Sequence, residues 1–164
     1  MIVTGGARGL GLCVAISLVQ AGAPHVYCLD ILPSPPDSEW TTAVAACREY
    51  EGQLVYKQLD ITDASAVSKA MSEIFNECPR QITGVFAAAG IQQMIPALDY
   101  PVDQFRRLME VNVTGMSSSD RGTLISGTFL TIQAAAREFK QRNISGSIVI
   151  TASMSGSIAN KGRR

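Results

Sequence analysis

The sequence predicts an α/β fold in which a doubly wound parallel sheet carries helices on both faces. Three observations predict it. Short apolar runs of strand type alternate with helical runs along the chain, a glycine-rich turn joins the first strand to the first helix, and an acid closes the second strand.

Residues 2–4 begin the first strand, and residues 10–21 come next as a helix that is apolar nearly all round, reads as buried and stops at Gly22. A second strand covers 25–30. The prolines at 33, 35 and 36 form a loop, after which a helix over 38–50 ends ahead of Gly52. A third strand, 54–60, leads into a helix over 64–76, closed off by Pro79, in which Val67, Ala70, Met71 and Ile74 make one apolar stripe. The fourth strand is 84–89. A helix over 102–114 carries Phe105, Leu108 and Met109 on a face expected to be buried, and Asn112 lies on that face. A fifth helix, 129–142, is expected to turn Phe129, Ile132, Ala136 and Phe139 inward, and a fifth strand occupies 147–151.

One segment breaks the pattern. Removing residues 115–126, a polar run without periodicity, would join Val111-Asn112-Val113-Thr114 to Gly127-Thr128-Phe129 in one continuous helical pattern. The segment therefore reads as an insertion or as retained non-coding sequence.

A length of 164 residues suits one domain, 1–164, and 46% hydrophobic with 17% charged residues marks a globular chain. Lys plus Arg and Asp plus Glu each number 14, so no charge excess points to nucleic acid or an anionic membrane. A small-molecule partner is expected instead. No stretch reaches the roughly 18 apolar residues of a membrane span, no leader pattern opens the chain, and the cytosol is the expected compartment. Cys13 and Cys28 lie in apolar runs, no CxxC occurs among the four cysteines, and the reading is of reduced thiols with Cys13 and Cys28 buried.

The run Thr4-Gly5-Gly6-Ala7-Arg8-Gly9-Leu10-Gly11 stands between a strand and an apolar helix. There, free backbone N–H groups and the helix dipole hold a phosphate, while Gly5, Gly9 and Gly11 permit a tight turn, a close approach of pyrophosphate and close helix–strand contact. Asp30, nineteen residues past Gly11, closes the second strand. Its carboxylate suits the adenosine ribose hydroxyls and repels a 2′-phosphate, which places NAD ahead of NADP. Arg8 pulls the other way: its guanidinium suits a 2′-phosphate or an ion pair with Asp30. The arrangement is of Rossmann type.

With Gly5, Gly9 and Gly11 spaced as TGxxxGxG, the chain resembles the short-chain dehydrogenase/reductase family. The resemblance implies that Asp60, followed by Ile61, contacts the adenine amino group. Ala87-Ala88-Ala89-Gly90 stands where the family carries Asn-Asn-Ala-Gly, so Ala88 and Gly90 fall beside the cofactor, whereas the side-chain bonds made by the two asparagines have no counterpart. Val111-Asn112-Val113 resembles the family's helix-four asparagine segment, which implies that Asn112 helps hold a water-linked proton relay; a local bond from Asn112 to its own helix is the alternative. Ser153, after the fifth strand, aligns as the substrate-polarising serine.

The chemistry so implied is hydride transfer between nicotinamide and a carbonyl or alcohol carbon, with a tyrosine as acid/base and a lysine that lowers its pKa. No Tyr-x-x-x-Lys occurs here, and only eleven residues follow Ser153. The resemblance thus describes a domain incomplete at both ends, lacking the acid/base pair and expected to be inactive by itself. Members are usually homo-oligomeric, through faces of the fourth and fifth helices. A likeness of the Asp30 loop and residues 153–160 to fungal sugar-alcohol dehydrogenases points to a small alcohol, polyol or ketone. The rival expectation is a non-catalytic dinucleotide-binding or interaction module. His25, the single histidine, supports neither a triad nor a metal site, and Lys161, Arg163 and Arg164 read as a solvated basic end.

Overall fold

The computed structural model describes residues 1–112 and 127–153. In chain order they form β1 (Ile2–Thr4), α1 (Gly9–Gln20), β2 (His25–Asp30), α2 (Asp37–Arg48), β3 (Gln53–Gln58), α3 (Ala64–Glu77), β4 (Gly84–Ala87), a 3₁₀ turn at Ala97–Asp99, α4 (Val102–Asn112), α5 (Gly127–Gln141) and β5 (Ser147–Ile150). The 3₁₀ turn is the one element that the sequence pattern does not predict. Residues 115–126, read as an insertion, and the basic end at 161–164 lie outside the described residues.

All five strands are parallel, in the order β3-β2-β1-β4-β5. Ile2 stands beside both Tyr27 and Val85, so β1 is the centre of the sheet. Alternation along the strands divides the core in two. Ile2, Tyr27, Leu29 and Val85 face α3 and α5, joining Val67, Met71, Ile74 and Leu130. Val3, Val26 and Cys28 face the other way, onto Ala15 and Val19 of α1 and Cys47 of α2.

The helix ends follow local chemistry, with one surprise. Gly22 takes φ 97° and its N–H closes on the Val19 carbonyl, a left-handed stop to α1. At the end of α2 the left-handed residue is Glu51, φ 57°, and not Gly52. Gly52 is needed for space, because a Cβ there would run into the Val19 side chain.

Three burial expectations are corrected. Helix α1 is not buried all round: Leu10 is 60% exposed, and Cys13 is exposed, whereas Gly11, Leu12, Ala15 and Val19 face the sheet. None of the α4 residues is fully buried, and Phe105 is 52% exposed, so that stripe rests on the body without entering the core. In α5 the inward face is Gly127, Leu130, Thr131, Ala134, Ala135, Glu138 and Phe139; of the predicted set only Phe139 is buried, while Phe129 and Ala136 are exposed. The small residues win because the helix packs closely. A Cβ on Gly127 would lie 2.7 Å from Ile61 Cδ1. Glu138 on this face meets Arg142, 2.8 Å away, which also donates to the Phe75 carbonyl of α3.

Candidate functional site

At β1 the order of the sheet reverses, because the next strand in the chain after β3 returns to the far side of β1. Chain segments leave β1 and β4 in different directions there, opening a crevice at the carboxyl ends of the strands. It encloses about 310 Å³. Its floor is the turn after β1, its sides are the exits of β2, β3 and β4, and Arg107 and Val111 of α4 form the outer wall.

The turn is shaped by three glycines with distinct tasks. Gly5, at φ 69°, lies so near β4 that a Cβ would stand 2.9 Å from Ala89 Cα, and Gly11 leaves room for the Gly5 carbonyl. Both let the backbone close on itself. Gly9 is different: φ is 55°, yet nothing lies within 4 Å of where a Cβ would be. That open space is what an incoming phosphate requires.

Helix α1 starts without a cap. Arg8 precedes it in an extended conformation, gives no side-chain capping bond, and no acid occupies the first turn. The first amides of a helix have no carbonyl one turn earlier to meet, so those of Gly9, Leu10 and Gly11 are left for an anion, favoured by the helix dipole. Helix α3, by contrast, is capped by Asp63, which accepts from the Ser65 and Ala66 amides. A pyrophosphate fits the uncapped start.

Asp30 ends β2 beside this turn. Its Oδ2 accepts from the Ala7 amide at 3.2 Å and its Oδ1 from the Leu32 amide at 3.4 Å, long bonds that orient the carboxylate and leave acceptor capacity. Arg8 lines the same crevice and, among the described residues, forms no ion pair with Asp30. Of the two roles open to Arg8, the internal ion pair is the one not adopted. Asp60 lines the crevice, and its Oδ1 is engaged by the amide and hydroxyl of Thr62, at 2.9 and 2.7 Å. Ile61 is 7% exposed and fixes that exit in the core.

On the β4 side, Ala88 and Gly90 line the crevice. The predicted strand runs shorter than 84–89, ending at Ala87. The side-chain bonds that two asparagines would make are replaced from elsewhere. Thr4 Oγ1, 1% exposed, accepts from the Ala89 amide at 3.2 Å. Asn112 Oδ1 accepts from the Ile91 amide at 2.8 Å and its Nδ2 donates to the Ile91 carbonyl at 2.7 Å, so this side chain bonds across the fold and not to its own helix.

The structure thus gathers Gly5, Arg8, Leu10, Gly11, Asp30, Asp60, Ile61, Ala88 and Gly90 around one crevice, with Gly9 at its rim. Asn112 and Ser153 are not part of its wall. Ser153 is exposed, three residues past β5, and residues 154–160 lie outside the described residues. Sequence reasoning missed Thr4, whose signal is a hydroxyl at the buried end of a strand, and Arg107, one helical turn before Val111 and so on the same face of α4.

A five-stranded parallel sheet that reverses at β1, with helices on both faces and an uncapped helix and an acid meeting at the reversal, defines an α/β protein of Rossmann type. The model of the short chain dehydrogenase family matches residues 1–163, and the chain belongs to that family. It is 35% identical over 162 residues to the short chain dehydrogenases/reductase notP′ of Aspergillus versicolor, covering 99% of this chain and 51% of that protein. It is 32% identical over 169 residues to a ribulose-forming D-arabinitol 2-dehydrogenase of Candida albicans, covering 98% and 55%. A crystal structure of an NAD⁺-bound xylitol dehydrogenase superposes with TM-score 0.76 at 28% identity, over 97% of this chain and 54% of that one. The chain spans about half the length of the curated relatives it matches. Among the described residues, no helix is long and apolar enough to cross a membrane.

Proposed function

We propose that this chain is the dinucleotide-binding part of an NAD(P)-dependent oxidoreductase acting on a small alcohol, polyol or ketone. The reading is carried by the uncapped start of α1 beside Asp30 in one crevice. The amides of Gly9, Leu10 and Gly11 hold the pyrophosphate, Asp30 accepts from the adenosine ribose hydroxyls, and Asp60 accepts from the adenine amino group. NAD is favoured over NADP, because a 2′-phosphate would approach the Asp30 carboxylate; the unpaired Arg8 is what keeps NADP in contention. The sugar-alcohol relative and the xylitol dehydrogenase neighbour support the substrate class.

When bound, the nicotinamide supplies or accepts a hydride. In this chain the Ser153 hydroxyl would donate to the substrate oxygen, and Asn112 holds the exit of β4 in place. The sequence has no Tyr-x-x-x-Lys, so these 164 residues do not by themselves furnish the acid/base pair. That observation favours the second reading, a non-catalytic dinucleotide-binding module. An in-frame Tyr-x-x-x-Lys encoded after Arg164 selects the enzyme.

The binding reading is tested by calorimetry. The chain should take up NADH more tightly than NADPH, and Asp30→Ala should lose at least about tenfold in NADH affinity, the equivalent of one charge-assisted bond. No heat at millimolar NADH would remove both readings.

A further inference from the structure

Asp30 is placed to choose between the two nucleotides, but a carboxylate discriminates only if its direction is fixed. Asp30 is the last residue of β2, and the chain beyond it is a proline-rich loop. The neighbouring strand does the fixing. Tyr56 and Gln58 of β3 are two residues apart and so project from the same face. The Tyr56 hydroxyl reaches the Leu32 carbonyl and lies 3.3 Å from the Asp30 carbonyl, and Gln58 Nε2 donates to the Ile31 carbonyl at 3.2 Å. The Leu59 amide also donates to the Asp30 carbonyl, at 2.7 Å. Three consecutive carbonyls, at 30, 31 and 32, are therefore held from β3 and its exit.

Peptide planarity carries this restraint to the carboxylate. The Ile31 carbonyl and the Leu32 N–H belong to one rigid trans peptide unit and point in opposite directions. With its own carbonyl met by Gln58 at the surface and the flanking carbonyls of Asp30 and Leu32 both held by the Tyr56 hydroxyl, this unit keeps its N–H aimed at Asp30 Oδ1, the bond seen at 3.4 Å. Trp40 meets the Tyr56 ring edge-on, with centroids 5.8 Å apart, and keeps the phenol from swinging away. Burial and the neighbouring Asp30 charge both push the Tyr56 pKa up, so the hydroxyl keeps its proton as a donor at working pH.

We propose that Tyr56, with Gln58 as a weaker brace, is a positioning residue that sets the direction of the Asp30 carboxylate and thereby the preference for NAD(H) over NADP(H). The proposal rests on the dinucleotide reading of the crevice. It assigns to a β3 tyrosine, outside the crevice wall, a part of the cofactor selectivity.

Titration calorimetry of the whole chain with NADH and with NADPH tests it, using wild type, Tyr56→Phe and Gln58→Ala. Tyr56→Phe removes only the hydroxyl, and should raise the NADH Kd about fivefold while leaving the NADPH Kd unchanged or lower, a scale set by the loss of one net hydrogen bond. Gln58→Ala, exposed and in competition with water, should move the ratio in the same direction by about twofold. A merely structural role would weaken both nucleotides in parallel and leave their ratio at the wild-type value, and that result overturns the proposal. If circular dichroism shows that Tyr56→Phe fails to fold, the Gln58→Ala ratio decides by the same criterion. Wild type binding neither nucleotide is a separate outcome, which removes the dinucleotide reading and this one together.

Discussion

Asn112 closes a two-bond clamp on Ile91: its Oδ1 takes the Ile91 N–H and its Nδ2 gives to the Ile91 carbonyl, at 2.8 and 2.7 Å. The end of α4 is thereby tied to the chain just past β4, twenty-one residues earlier. Asn112→Ala leaves both backbone groups of a half-buried residue without partners, which should cost about 1–3 kcal/mol in urea unfolding. Asn112→Asp keeps an acceptor and loses the donor, and should fall between. Unchanged midpoints for both variants would show that water replaces the clamp without loss.

Gly9 and Gly11 should separate binding from folding. Alanine at Gly9 meets no atom within 4 Å and pays only for a φ of 55°, about 1 kcal/mol, yet its methyl group occupies the space meant for phosphate. NADH affinity should drop at least about tenfold with a nearly normal melting curve. Alanine at Gly11 would be driven into the Gly5 carbonyl, and should cost at least about 2 kcal/mol of stability as an overpacked site. Equal melting temperatures for the two variants would contradict the distinct tasks assigned to these glycines.

Asp63 gives a pH signature. Its pKa is lowered by the amide of Ala66 first and the hydroxyl of Ser65 next, both of which bond the ionised carboxylate that caps α3. A carboxyl group whose folded pKa lies below its unfolded one adds stability above the ordinary carboxylate range and loses it as pH falls through the folded value. Asp63→Ala should therefore have a lower urea midpoint than wild type at pH near 7, with the gap closing as the solution is acidified below the usual carboxylate pKa. A gap that stays constant with pH would mean that the charge is not what stabilises the cap.

The cysteines should label in a fixed order. Cys13 is exposed on α1 and should react first with a thiol reagent. Cys28 is fully buried, with its thiol pKa pushed up to about 12 chiefly by burial, and should react only on unfolding, as should the buried Cys47. Peptide mapping after brief labelling reads this directly. Early modification of Cys28 would show that α1 and α2 lift from the sheet in the native chain.

Much of this protein is determined by short stretches of sequence. A strand, a turn that demands glycine, and a helix that begins without a cap all lie within residues 2–20, and Asp30 ends the next strand; such signals depend on backbone conformation and on period, both local. What sequence could not decide is which of two apolar faces a helix buries. In α5 the stripe with Phe129 and Ile132 is as periodic as the one through Leu130 and Ala134, and close packing against Ile61 and α3 selects the smaller side chains. Tertiary structure alone also pairs Thr4 with Ala89, Asn112 with Ile91, and Tyr56 with the carbonyls of Asp30 and Leu32, because parallel strands are joined by crossovers that bring distant residues together at the carboxyl ends of the strands. Local conformation is written in neighbours along the chain, whereas a hydrogen bond across the crevice exists only once the sheet has fixed which ends meet.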